Sequence, residues 1–184
     1  MHVPTLMLLN ITMSAVVGIA LMMTTLRRHR ELSLLAAGLG AHALGYSLLS
    51  LRGQISDILS IVVANTLLSI TPALLTFAIY QFQRRPAPRL LIWAPVVAIA
   101  VSFSWYLDDF QARVLLSGVL FSLQLVMILV PMMARQRETV GRGQYVAMFG
   151  FLMALAAMVV RVHFLLGVTV HHRSICSISP LRTA

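Results

Sequence analysis

The sequence has little charge and no lysine. Only 10% of its 184 residues are charged, against roughly 25% in a soluble domain, and all 14 basic residues are arginine. A chain with 59% hydrophobic residues and a mean hydropathy of +0.90 cannot bury its apolar surface in one aqueous core. These values exclude a soluble globule, a disordered chain, a collagen and a coiled coil. They indicate that lipid is the solvent.

Cysteine and intramembrane acids are also scarce. Cys176 is the only cysteine, so no intramolecular disulfide can form. None of the five acidic residues lies within a long apolar run, which removes the carboxylates that coupled transporters commonly use. The sequence contains no phosphate-cradling glycine-rich loop, HExxH motif, nucleophile elbow or pair of catalytic carboxylates. We therefore expect a protein that is not an enzyme and that uses no cofactor.

Six apolar runs are long enough to cross about 30 Å of hydrocarbon as helices. The runs are 5–26, 32–51, 58–80, 90–106, 114–133 and 145–168. The first is too long for a signal-peptide core and has no basic residue before it, so we interpret it as a retained span. The prediction is an all-α integral membrane bundle of about six transmembrane helices over residues 1–170, followed by a short, disordered polar tail at 171–184.

The arginines are distributed unevenly among the connections. Loops 27–31, 83–89 and 135–142 carry nine arginines, whereas loops 52–57 and 107–113 carry two arginines and three aspartates. The positive-inside rule makes the first set cytoplasmic and places the N-terminus outside, in a bacterial inner membrane. The pI near 11.5 therefore reflects membrane topology, and we expect no nucleic-acid partner.

Polar side chains within the runs are candidate functional residues because burying them in lipid is costly. His42 lies near the middle of the second run, and Tyr46 is one turn away on the same face. We predict a ligand site or a structural polar site that includes His42, Tyr46, Asn65 and Arg161. For His42 the alternative is a hydrogen bond within the bundle, and for Asn65 and Gln124 we favour interhelical hydrogen bonds over a pore.

Arg161 is the only charged residue inside an apolar run. It lies about 16 residues from the cytoplasmic start of that run, roughly 24 Å into a 30 Å core. Two interpretations fit this depth. Arg161 either pairs with an outer acid, Asp57, Asp108 or Asp109, or extends to a lipid phosphate.

The histidines do not indicate a metal site. His42 and His163 differ in depth by roughly 12 Å, which does not suit one haem iron between them. His171, His172 and Cys176 follow the sixth run, but their spacing matches no structural zinc pattern. We expect no bound metal.

Small residues at helical spacing predict close helix packing. Ala37, Ala41 and Gly45 form such a ladder on the second run, and Gly150 and Ala154 form a shorter one on the sixth. Three prolines interrupt the third, fourth and fifth runs, and neighbouring helices must satisfy the carbonyls that they free. These are Pro72, Pro95 and Pro131.

Residues 41–65, AHALGYSLLSLRGQISDILSIVVAN, contain an LGY-type turn, an LRG…SD outer loop and an asparagine one-third of the way into the next helix. With the arginine-rich turn after the first run, this stretch resembles the multi-pass N-terminal membrane region of bacterial diguanylate cyclases. The resemblance covers about residues 1–170. It implies a sensory or anchoring module whose partners are the lipid bilayer and a second copy of the chain or another membrane protein, and it leaves the small-molecule signal unspecified.

The chain contains no GGDEF sequence, so we expect no cyclic di-GMP synthesis from it. The change in composition after Val170 suggests a truncation or frame change that separates an input region from its output domain. Two other functions remain open on the sequence. One is a small permease or channel subunit, and the other is a non-catalytic membrane scaffold.

Overall fold

The computed structural model describes residues 3–25, 30–134 and 143–178, and within these ranges the chain is helical without β-strands. The all-α prediction is therefore confirmed. A π-helical segment, Ile58–Val63, leads directly into the third helix. The six α-helices are α1 (Val3–Thr25), α2 (Arg30–Ser50), α3 (Ala64–Phe82), α4 (Arg89–Trp105), α5 (Phe110–Ala134) and α6 (Gly143–Ile178).

Within the described residues, four helical stretches are long and apolar enough to cross a membrane, which agrees with the membrane prediction. Two further apolar stretches, in α1 and α4, are shorter. Large apolar side chains cover the outside of these helices; Leu90 is 90% exposed and Trp105 is 81% exposed. An apolar outer surface on this scale is what a lipid environment requires. The four long stretches are Leu32–Ser50, Ile58–Phe82, Phe110–Ala134 and Gly143–Phe164, and the shorter ones are Met7–Met23 and Arg89–Trp105.

The helix boundaries follow from local sequence. The Asp109 carboxylate accepts a hydrogen bond of 3.0 Å from the Ala112 N–H and so caps the first turn of α5. Pro86 and Pro88 separate α3 from α4, since proline disfavours a helical conformation in the residue before it. The turn after α2 requires a φ of +89° at Gly53, which glycine adopts without steric cost.

The helices form a compact centre with two peripheral members. Helices α3, α4 and α5 contact one another, and α2 lies against α3. Among the described residues, the backbone of α1 lies close to that of α2 only, and the backbone of α6 lies close to that of α5 only. Three apolar clusters fill the centre, built around Ile99, Ile92 and Ile128. In the described part of the chain, the first and last helices thus have one close backbone neighbour each.

Glycines bring α2 and α3 close together. A Cβ on Gly45 would lie 2.9 Å from Leu68 Cγ and 3.0 Å from the Ala64 carbonyl oxygen. Gly38 is also buried, and its carbonyl oxygen accepts a hydrogen bond of 3.0 Å from Thr71 Oγ1. The predicted ladder is correct at Gly45 and wrong at Ala37, which is exposed.

A different glycine joins α6 to α5. A Cβ on Gly118 would clash with Val162 Cγ2, so these two helices approach closely at that point. The contact predicted on α6 itself is not formed at Gly150, where a Cβ would meet no atom within 4 Å. The small residue therefore lies on α5, and β-branched Val162 fills the space that it leaves.

Helix α6 continues through residues 171–178, which the sequence analysis assigned to a disordered tail. The reason is the absence of a helix breaker before Pro180. Histidine, arginine and serine are polar, but none of them ends a helix by itself. Residues 179–184 lie outside the described residues.

We predict that Gly45→Ala lowers the free energy of unfolding by about 1–3 kcal/mol, because the added methyl group must displace Leu68 or the α3 backbone. Gly40→Ala on the same helix is the matched control, since a Cβ there meets no atom within 4 Å. The control is expected to be neutral or stabilising by up to about 1 kcal/mol. Denaturant titration of both variants in micelles measures the difference, and equal effects would contradict close α2–α3 packing.

Candidate functional groove

A groove of about 530 Å³ lies between α2 and α3 on one side and α5 and α6 on the other. Met7 of α1 and Phe103 of α4 complete its walls, so all six helices contribute. The backbones of α2 and α6 do not come close together in the described part of the chain. Helix packing therefore leaves the groove open at the side of the bundle. Its size is that of a typical small-molecule site.

The groove brings together the four candidate site residues, which belong to three different helices. His42 and Tyr46 line it from α2, Asn65 from α3 and Arg161 from α6. These residues were candidates only because polar groups are rare in apolar runs. Their common location makes this groove the candidate site.

His42 forms a hydrogen bond within the bundle. Its Nδ1 lies 2.9 Å from Ser14 Oγ of α1, and its ring centroid lies 4.8 Å from that of Tyr46. These contacts fix the imidazole between α1 and the groove. The bundle hydrogen bond expected as the alternative for His42 is thus present, and the same ring also contributes to the groove wall.

Asn65 does not form the interhelical hydrogen bond that we predicted. Its Nδ2 donates instead to the Ile61 carbonyl oxygen one turn earlier, at 2.7 Å. Ile61 belongs to the π-helical segment, whose wider turn changes the direction of nearby side chains relative to an α-helix. The local bond satisfies a backbone carbonyl of that segment, and both residues line the groove.

Gln124 forms the predicted interhelical bond. Its side chain is 2% exposed, and its Nε2 donates to both the carbonyl oxygen and the Oγ of Ser69, each at 2.9 Å. Ser69 lies in the turn that precedes Pro72, where proline disrupts the regular backbone bonding. A second hydrogen bond joins the end of α3 to α5, where Gln83 Nε2 donates to the Pro131 carbonyl oxygen at 2.8 Å.

Arg161 forms no ion pair with Asp57, Asp108 or Asp109, although the structure describes all four residues. The predicted pairing is therefore not observed. The Asp109 carboxylate caps α5, and the other two aspartates are exposed in the connections between helices. Arg161 instead lines the groove, with an exposed side chain.

Arg113 is the functional candidate that the sequence analysis missed. It was counted as a loop residue, but it lies in the first turn of α5, lines the groove and is 7% exposed. Its Nε has no hydrogen-bond partner. The helical spacing to Ser117 and Gln124 was the available signal, since residues 113, 117 and 124 share one face of α5.

Among the residues that the structure describes, three arginines and no acidic residue line the groove. The third is Arg52, which follows the end of α2. Among residues whose side chains the structure describes, no group of three histidine, cysteine or acidic residues could hold a metal ion. His163 is exposed and does not line the groove, and the side chains of His171, His172 and Cys176 are outside the described set.

Comparison of the chain with known protein families, curated proteins and solved structures finds no match. The resemblance to the membrane regions of diguanylate cyclases therefore depends on the motifs in residues 41–65 and on the arginine-rich turn after the first run. The groove and its charges are the basis for a functional conclusion.

We predict that Gln124→Leu lowers the free energy of unfolding by about 1–2 kcal/mol, because it leaves two buried Ser69 acceptors without their donor. Gln111→Leu, at an exposed position in the first turn of the same helix, is the control for the change in hydrophobicity. Denaturant titration in micelles compares the two. A loss at Gln111 as large as that at Gln124 would show that the interhelical bond is not the cause.

Proposed function

We propose that the chain is a membrane-embedded sensory module that receives a ligand in the groove and responds by moving α6. The proposal depends on one observation, which is that α6 has little contact with the rest of the bundle. Its backbone contacts α5 alone, and the groove separates it from α2. A helix held on one side and facing a ligand-sized space on the other has two arrangements available, and an occupant that favours one of them shifts the population.

The shape of the groove favours a receiving site over a permease or channel. At one end the groove is lined by Ile128 and Phe151, which belong to an apolar cluster with Ile79 and Met132. This cluster interrupts a polar path along the helix axes. The absence of acidic residues from the groove lining adds to this argument, because coupled transport of cations depends on intramembrane carboxylates.

The proposed setting is a bacterial inner membrane with the N-terminus outside, as the loop arginines indicate. Six spans accommodate this topology, with α1 and α4 as the two that have shorter apolar stretches. On the basis of the resemblance to cyclase input regions, we propose that a second copy of the chain or another membrane protein is the partner that responds to the position of α6. A membrane scaffold without a ligand is the alternative, and it predicts that α6 does not respond to groove filling.

The test uses spin labels to follow α6 directly. Labels at Leu44 of α2 and Val160 of α6, both exposed positions, report the width of the groove after Cys176→Ser removes the native thiol. Leu125→Trp replaces a groove-lining leucine with a bulkier indole ring and so fills part of the groove without any ligand. We expect the Leu44–Val160 distance in bilayers to increase by roughly 1–2 Å or more, the scale of helix shifts in switching proteins.

The matched control pair is Leu44 with Val101 on α4, which lies across the rigid centre and should keep its distance. An unchanged Leu44–Val160 distance, or an equal change in both pairs, would contradict a mobile α6. Solute flux through liposomes that is lost in Asn65→Ala or Arg161→Gln would support the permease function instead.

A further inference from the structure

The chemistry of the groove identifies the class of ligand, on the basis of the sensory function proposed above. We infer that the groove binds an anionic amphiphile, with its phosphate or carboxylate head at Arg113 and Arg161 and its acyl chain along the apolar part of the groove. Three properties of the groove carry this assignment. They are its positive charge, the position of its arginines relative to one another, and the length of its apolar continuation.

The first property is an uncompensated positive charge. Arg113 is 7% exposed, its Nε lacks a hydrogen-bond partner, and in the described part of the chain it pairs with no acidic residue. A buried guanidinium without a counter-charge is strongly unfavourable in an apolar medium. Because Arg52 and Arg161 line the same groove, the local charge attracts an anion, and a planar guanidinium suits a phosphate or carboxylate.

The second property is the position of the arginines relative to one another. The close contact of Gly118 with Val162 sets the register of α5 against α6. Arg113 precedes Gly118 by five residues, and Arg161 lies one residue before Val162 on the antiparallel α6, so the two arginines differ in height by about six residues, or about 9 Å. Two arginine side chains that extend toward each other can span this difference. One head group can therefore contact both guanidinium groups.

The third property is the long apolar continuation of the groove. From Arg113 to Ile128 the lining of α5 extends 15 residues, or about 22 Å, which exceeds half of a 30 Å hydrocarbon core. Tyr46, Asn65 and Ser117 lie toward the Arg113 end, and the polar residues His42 and Thr71 line the groove farther along. The far part is lined by Leu75, Leu125, Ile128 and Phe151.

These properties together select an amphiphile over simpler ligands. A free inorganic anion would satisfy the arginines but leave the apolar length unused, and a neutral hydrophobic molecule would leave Arg113 without a counter-charge. The open side between α2 and α6 faces the bilayer, so a chain-bearing ligand can enter from the lipid. The head-group chemistry is shared by phospholipids with an exposed phosphate and by fatty acids.

Four probes test the assignment with the full-length protein in phosphatidylcholine nanodiscs. They are dodecyl phosphate, dodecanoate, dodecanol and inorganic phosphate. We expect dodecyl phosphate and dodecanoate to raise the midpoint of thermal unfolding and to compete for one site. Dodecanol and inorganic phosphate should give no comparable shift at the same concentrations. The relative affinity of the two anionic probes then distinguishes a phosphate ligand from a carboxylate ligand.

Variants locate the site. Arg113→Gln should weaken dodecyl phosphate binding roughly tenfold to hundredfold, since it removes hydrogen bonds from a charged donor, and Arg113→Lys should restore part of the affinity. Arg89→Gln makes the same change in charge at an exposed position away from the groove and should have no effect. Leu125→Trp should reduce binding by obstructing the chain. Arg161→Gln gives a second test at an exposed side chain if Arg113→Gln does not fold.

Three results would overturn the assignment. They are a dodecanol shift equal to that of dodecyl phosphate, a shift with inorganic phosphate alone, and equal loss of binding in Arg113→Gln and Arg89→Gln. The spin-label experiment needs no ligand, so its outcome is independent. A mobile α6 without amphiphile binding would retain the sensory function and reject only this ligand class.

Discussion

The close approach of α2 to α3 is the constraint on which the rest of the structure depends. Gly38 and Gly45 allow the two backbones to meet, and the Thr71 hydroxyl links them by donating to the Gly38 carbonyl oxygen. Lipid supplies no hydrophobic force between helices, so close contact and hydrogen bonds must hold them. With α2 fixed in this way, His42 and Tyr46 line the groove, and in the described part of the chain the backbone of α6 lies close to that of α5 alone.

The sequence was sufficient to predict the helices and insufficient to orient them. Long apolar runs bounded by arginine loops define six helices almost without ambiguity, because hydrocarbon permits few other backbone conformations. The rotation of each helix about its own axis is much harder to predict from the sequence. In lipid both the outward and inward faces are apolar, so the periodicity that orients a helix in a soluble protein is weak. This is why the contacts predicted at Ala37 and Gly150 are replaced by Gly38 and Gly118.

The candidate site, like the fold, could be predicted from the sequence only in part. Rarity of polar groups in apolar runs was enough to select His42, Tyr46, Asn65 and Arg161, and all four line one groove. The missed residue, Arg113, lies at the boundary between a polar loop and an apolar helix, where an arginine usually needs no explanation. Its burial results from the way α5 packs against its neighbours, and that packing cannot be deduced from α5 alone.

The proposed ligand would act on α6 through two opposing effects. Arg113 belongs to α5 and Arg161 to α6, so their like charges repel until an anionic head lies between them. The head therefore draws the two helices together at one end of the groove, while an acyl chain beside Leu125 and Phe151 separates them at the other. A head or a chain alone would supply only one of these effects. Both effects together favour a rotation of α6 about its contact with Gly118. The ligand can move the helix only because it binds one arrangement of α6 more tightly than the other.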